Sequence, residues 1–131
     1  MKRGAQMIRF KYDDKGLMPA IVQDDKNGEI LMLAYVNQKA IQMMLKIGKT
    51  CFYSRSRNKY WIKGESSGHI QKIKSISTDC DRDTLLIRVT QVGGACHLGF
   101  KSCFVHPISK RGQLQKPNQK KVFDPKQIYG T

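Results

Sequence analysis

Asn27-Gly28 stands between two apolar runs, Ala20-Ile-Val-Gln23 and Ile30-Leu-Met-Leu-Ala-Tyr-Val36. An Asn-Gly pair takes the left-handed backbone of a tight turn at little steric cost, and Asp24-Asp25-Lys26 before it adds further turn chemistry. The predicted outcome is a β-hairpin near the start of the chain. Gly16-Leu-Met-Pro19 reads as the turn leading into it, and Met7–Phe10 alternates as a short strand.

Punctuation continues downstream. Asn37 is placed to cap a helix over Gln38–Ile47, whose Ala40, Ile41, Met44 and Leu45 share one face, and Gly48 is its stop. Thr50–Ser54 reads as a strand, Arg55–Lys59 as a basic turn, and Lys63–Gly68 as a loop after Tyr60 and Trp61. His69–Thr78 is predicted extended. Its isoleucines at 70, 73 and 76 break strict alternation, which a bulge reconciles, with helix the competing assignment. Thr84–Val92 is the clearest strand, ended by Gly93-Gly94; Ala95–Gly99 is a loop, and Phe104–Ile108 is a last strand. Asp124–Tyr129 reads as one helical turn. Repeats and a second domain are absent, so residues 1–108 form one domain, and 109–131 a basic C-terminal tail that packs on it or extends from it.

The formal net charge of +14 attracts polyanions: nucleic acid, anionic membrane surfaces or phosphorylated small molecules. A merely solvated basic surface fits it equally. No apolar stretch reaches the roughly 18 residues of a membrane span. Met1-Lys2-Arg3-Gly4 begins like a signal peptide, but Arg9, Lys11, Asp13 and Asp14 interrupt any apolar continuation. A cytoplasmic location is therefore expected, in which the four cysteines stay reduced and serve as ligands, nucleophiles or core residues.

Asp79-Cys80-Asp81-Arg82-Asp83 interleaves hard oxygen donors with a soft thiol. If extended, it turns Asp79, Asp81 and Asp83 to one side and Cys80 to the other. A cation would relieve the repulsion; a solvated acidic turn is the alternative. An EF-hand is excluded, because Thr84 and Thr90 occupy the positions that need Gly and Glu. Cys80, Cys96 and Cys103 are candidate zinc ligands, although no CxxC pair supports them, whereas Cys51 suits a core strand. His97, beside Cys96, is either a proton carrier near a metal-bound hydroxide or a loop imidazole bonded to backbone, and His69 carries the same two readings. Arg55, Arg57, Lys59 and Lys63 with Tyr60 and Trp61 mix cations and aromatic faces, which suits a phosphorylated purine, a single-stranded nucleic acid or a bare basic hairpin.

Taken together, Leu31–Asn37, Tyr53–Arg57, Trp61–His69, Asp79–Asp83, Ala95–His97 and Ser102–Phe104 resemble phosphoribosyl-AMP cyclohydrolase, in order along the chain. The resemblance implies an α+β fold, with mainly antiparallel, barrel-like sheet and few helices, intertwined as a homodimer. It implies hydrolysis of the N1–C6 bond of 1-(5-phosphoribosyl)-AMP in histidine biosynthesis, with zinc and magnesium as cofactors. Cys80 of one chain would meet Cys96 and Cys103 of another around zinc, and Asp79, Asp81 and Asp83 match the magnesium-binding aspartates. His97, with His69 as the second candidate, would shuttle the proton, and Arg55, Arg57, Trp61 and Lys63 would bind a phosphorylated nucleotide. Some relatives carry a fused pyrophosphohydrolase domain; this chain looks monofunctional. Neither a membrane nor a nucleic acid is expected as partner. The rival function is a noncatalytic, zinc-stabilised nucleic-acid-binding module, supported by charge and by interleaved aromatics.

Overall fold

The Asp24–Gly28 turn folds β1 (Met18–Asp24) against β2 (Ile30–Val36) as an antiparallel pair. Gly28, at φ 80°, donates its N–H to the Asp24 carbonyl at 2.9 Å, and the Asn27 side chain accepts from the Glu29 amide at 2.9 Å. The computed structural model describes residues 8–129. Met7 and the signal-like Met1–Gly4 lie outside the described residues, and Ile8–Phe10 forms no strand. Phe10 and Tyr12 instead meet edge to face and pack on the core.

Helix α1 (Gln38–Ile47) has the predicted bounds because its ends are fixed by local chemistry. The Asn37 side chain accepts from the Ala40 amide, and Gly48, left-handed at φ 72°, returns its N–H to Met44. Its Ala40, Ile41 and Met44 are buried.

Strands β3 (Cys51–Ser54) and β4 (Lys59–Ile62) form a separate two-stranded hairpin, where only the first had been predicted as a strand. Asn58 turns it at φ 54°, a conformation Asn tolerates. Strand β5 (Gln71–Thr78) pairs antiparallel with β6 (Leu85–Gln91), and the register shifts between Ile73 and Ser75, where a bulge was expected. The larger sheet runs β2-β1-β6-β5. Its centre is a parallel pair, Val22 facing Ile87, so the sheet is mostly but not wholly antiparallel. Both sheets are open, and no barrel closes among the described residues.

The core lies where β1 and β6 turn Met18, Ala20, Val22, Leu85, Ile87 and Val89 toward α1 and Phe52. A buried polar chain crosses it, from the Thr50 hydroxyl to Gln71 (2.8 Å) and from Gln71 to Gln91 (2.8 Å). Each buried amide thus finds partners.

Phe104–Ile108 is not the expected strand: only Ile108 makes a bridge, to Leu114. Pro107 lacks a donor, and Phe104 is 58% exposed, so the segment has neither ladder nor buried face. The chain turns at Ser109–Gly112 and runs back, Asn118 donating to the Val105 carbonyl, before the short α2 (Pro125–Tyr129).

Candidate active site

The β3–β4 hairpin and the turn after it wall a cleft of about 610 Å³. Arg57 and Lys59 come from the hairpin tip, Trp61 from β4, Lys63 through Ser67 from the turn, and His97 closes it from the loop after β6. Trp61 is held by Phe52, with ring centroids 5.1 Å apart. Arg57 and Lys59 take part in none of the ion pairs among the described residues, which leaves both cations available to an anion.

Lys63 is 9% exposed. Its Nζ donates to the Ala95 carbonyl at 2.6 Å and stands 5.7 Å from the Trp61 ring centroid. Burial lowers its pKa, while the adjacent Cys103 and Cys96 sulfurs pull it up. One ammonium therefore fastens the cleft wall to the loop that carries the thiols.

That loop folds on itself, Cys96 and Phe100 joined by a backbone bond of 3.0 Å and Ala95 and Lys101 by one of 2.8 Å. Cys96 and Cys103 are brought side by side, close enough for each sulfur to bear on the other's charge. Cys103 is exposed as a residue, yet burial still weighs on its thiol. Burial pushes that thiol up to about 11, Cys96 adds to the rise, and Lys63 opposes it.

The acidic run is a tight turn rather than extended. Asp79 and Thr84 are bonded through their backbones, and Arg82 at φ 60° pays the left-handed cost of about 1–2 kcal/mol. The turn nevertheless gathers Asp79, Asp81 and Asp83 until one oxygen of each lies within 4.8 Å of the others. A hydrogen bond from Asp83 holds the Asp79 carboxyl below the usual range, and the same contact raises Asp83. Opposed shifts of this kind are what crowded like charges show, and a bound cation would relieve them.

Cys80 sits exposed on this turn, at the opposite end of β6 from Cys96. The strand's seven residues span roughly 20 Å at about 3.3 Å each. One chain therefore brings together two of the three predicted thiols. Cys51 is buried in the core.

The other predicted residues divide. Arg57, Trp61, Lys63 and His97 share the cleft. Arg55 lies next door, in a shallower hollow that shares Ser54 and Trp61 with it, its guanidinium 3.9 Å over the Tyr35 ring. His69 lies outside the cleft lining and packs edge to face on Phe123, with centroids 4.4 Å apart. Lys59 was named in the basic cluster but not among the expected nucleotide-binding residues, and Ser54 only as the end of a strand; recognising Asn58 as a left-handed hairpin turn would have placed both beside Arg57.

The description of phosphoribosyl-AMP cyclohydrolase matches residues 32–105, a span that holds the cleft, the acidic turn and both paired thiols. The chain belongs to the phosphoribosyl-AMP cyclohydrolase family. It is 48% identical over 120 residues to the phosphoribosyl-AMP cyclohydrolase of Chlorobium phaeovibrioides, covering 92% of this chain and 87% of that one. To that of Pelotomaculum thermopropionicum it is 49% identical over 121 residues, covering 92% and 93%. It is also 54% identical to the histidine biosynthesis bifunctional protein HisIE of Thermoanaerobacter pseudethanolicus, over 92% of this chain but 55% of that protein. Within this cyclohydrolase-family chain, no helix among the described residues is long and apolar enough to cross a membrane.

Proposed function

We propose that this family member hydrolyses the N1–C6 bond of the purine ring in 1-(5-phosphoribosyl)-AMP, the ring-opening step of histidine biosynthesis. The observation that carries the reading is the cleft. It sets two uncommitted cations, an aromatic plane and an imidazole beside a pair of thiols, in a chain of this family.

Arg57 and Lys59 hold a phosphate, and Trp61 lies against the purine. Water adds to C6, the C6–N1 bond breaks, and N1 takes a proton. His97 is the cleft's proton carrier. Lys63 keeps its ammonium on the Ala95 carbonyl and so fixes the Cys96 loop against the bound ring.

Two adjacent thiols beside a lysine suit a soft divalent ion, and three clustered carboxylates suit a hard one. Cys96 and Cys103 would hold zinc together with Cys80 of a second chain, and Asp79, Asp81 and Asp83 would hold magnesium. Bound zinc supplies a water acidic enough to attack near neutral pH. The length of β6 between Cys80 and Cys96 supports a homodimer, because a single chain cannot bring the three sulfurs to one ion. In that dimer the open sheet edges would find partners and form the intertwined, barrel-like arrangement. Four free cysteines suit a reducing cytoplasm. The nucleic-acid-binding module is not favoured by any of these findings.

The test is incubation with phosphoribosyl-AMP, zinc and magnesium, following ring opening in the ultraviolet. Turnover that falls at least about a hundredfold in His97→Ala supports the assignment. No turnover by the parent chain, with salt-sensitive binding of oligonucleotides in its place, overturns it.

A further inference from the structure

Three glycines near or within the Cys96–His97 loop are bare where other chain segments press on them. A Cβ on Gly94 would lie 2.6 Å from the Phe100 carbonyl oxygen and 2.9 Å from the Phe123 ring. One on Gly99 would lie 2.6 Å from the Phe123 carbonyl oxygen and 3.2 Å from Pro125. One on Gly93 would meet the His69 ring at 2.8 Å, and that ring stands edge to face on Phe123. Backbone bonds complete the seam: the Val122 and Phe123 amides both donate to the Gly99 carbonyl, at 2.7 and 3.3 Å.

We propose that Lys121–Pro125 is a clamp on the loop carrying Cys96 and His97, with Phe123 as its positioning residue. Lys63 holds the loop's near side through Ala95, and the clamp holds its far side through Gly94 and Gly99. Phe123 is not among the residues that line the cleft. It acts through His69 and the glycine backbone, and so governs how closely Cys96 is kept at its 6% exposure. His69 thereby gains a role as the ring between β5 and the clamp. The effect on turnover rests on the reading of Cys96 and His97 given above; the effect on thiol protection does not.

The experiment labels the metal-free full chain with a maleimide and follows each cysteine by peptide mass. In Phe123→Ala, Cys96 should label about tenfold faster or more, because local opening, not global unfolding, controls its access. Phe123→Leu keeps an apolar plug and should return the rate to within about threefold of the parent. Gln119→Ala removes a tail contact to Glu29 away from the loop and should leave Cys96 as it was. Cys51, buried in β3, reports global opening. In the turnover assay Phe123→Ala should lower kcat about tenfold or more with KM held within about threefold, since the phosphate-binding cations lie on the hairpin. Cys96 labelling at the parent rate in Phe123→Ala overturns the clamp, as does a rise of Cys51 in step with Cys96. A parent chain that shows no turnover at all would overturn the enzymatic reading and leave the labelling result standing.

Discussion

Gly64 opens the turn that lines the cleft, and its replacement by alanine separates two costs that are usually confounded. Its φ is +83°, and an added Cβ would lie 2.4 Å from the His69 carbonyl carbon and 2.5 Å from the Ile70 nitrogen. Gly48, at φ +72°, has nothing within 4 Å of the same built atom. Gly48→Ala therefore carries only the left-handed penalty, about 1 kcal/mol. Gly64→Ala carries that and the displacement of main chain, an overpacking cost of about 2 kcal/mol, for about 3 in all. The entropy that alanine removes from the unfolded chain is common to both and cancels in the comparison. At about 2.1 cal/mol/K per residue, the unfolding entropy of 131 residues is about 0.28 kcal/mol/K. Gly48→Ala should then lower Tm by about 4 °C and Gly64→Ala by about 11 °C. Calorimetry of the three proteins in one buffer reads the difference. Tm values for the two variants within about 2 °C of each other would refute the claim that the Gly64 backbone is packed against His69–Ile70.

Other outcomes follow from the ion pairs and the thiols. Lys101 Nζ lies 2.7 Å from Asp24, whose side chain is 8% exposed, so Lys101→Met should destabilise the fold by about 2 kcal/mol after allowing for the lysine's own exposure. Burial pushes the Asp24 carboxyl up, but Lys101 and the Lys26 and Asn27 amides outweigh it and hold it below the usual range. The parent's advantage over Lys101→Met should thus be full above about pH 4, fade as pH falls through the depressed Asp24 value, and fade again above about pH 10.4 as Lys101, whose pKa is raised, deprotonates; urea titrations across pH that show a constant gap would contradict it. Cys96→Ser or Cys103→Ser should abolish zinc retention, measured by plasma emission after dialysis, while Cys51→Ser retains it; equal loss in all three would mean the wrong ligands. Asp81→Asn should weaken magnesium activation about tenfold or more with zinc still bound, and unchanged magnesium titrations would remove the acidic turn from the site. Mixing inactive Cys80→Ser and Cys96→Ser chains should restore activity up to about a quarter of the parent sites, and mixed dimers with none would exclude a shared ion.

What could be read from the residues was chemistry with a short reach. Asn37 and Gly48 bound α1 because a cap bonds within its own turn. Asn27-Gly28 marked the β1–β2 turn, and the uneven isoleucines of β5 marked its bulge, for the same reason. The parallel β1–β6 pair carries no local mark, since buried strands look alike whichever neighbour they take. Of the two readings of the acidic run, extended or an acidic turn, the turn is the one formed: Arg82 in a left-handed conformation curls it, and the carboxylates converge by the turn rather than by alternation. The types of the cleft residues were visible as cations beside aromatics. The separation of Arg55 from Arg57, and the tie from Lys63 to Ala95 across 32 positions, depend on packing that no spacing encodes.

The central parallel pair also sets a schedule for synthesis. Val22 waits for Ile87, 65 positions later, before the middle of the larger sheet can zip. At about 5–20 residues per second, the β1–β2 hairpin, complete once Val36 is made, stands for roughly 3–10 s with its inner edge bare before Ile87 follows. A hairpin alone is only marginally stable, so the ribosome-bound chain has little native sheet to commit to until β6 emerges. A circular permutant that brings β6 ahead of β1 would close this gap and fold faster from the same final structure.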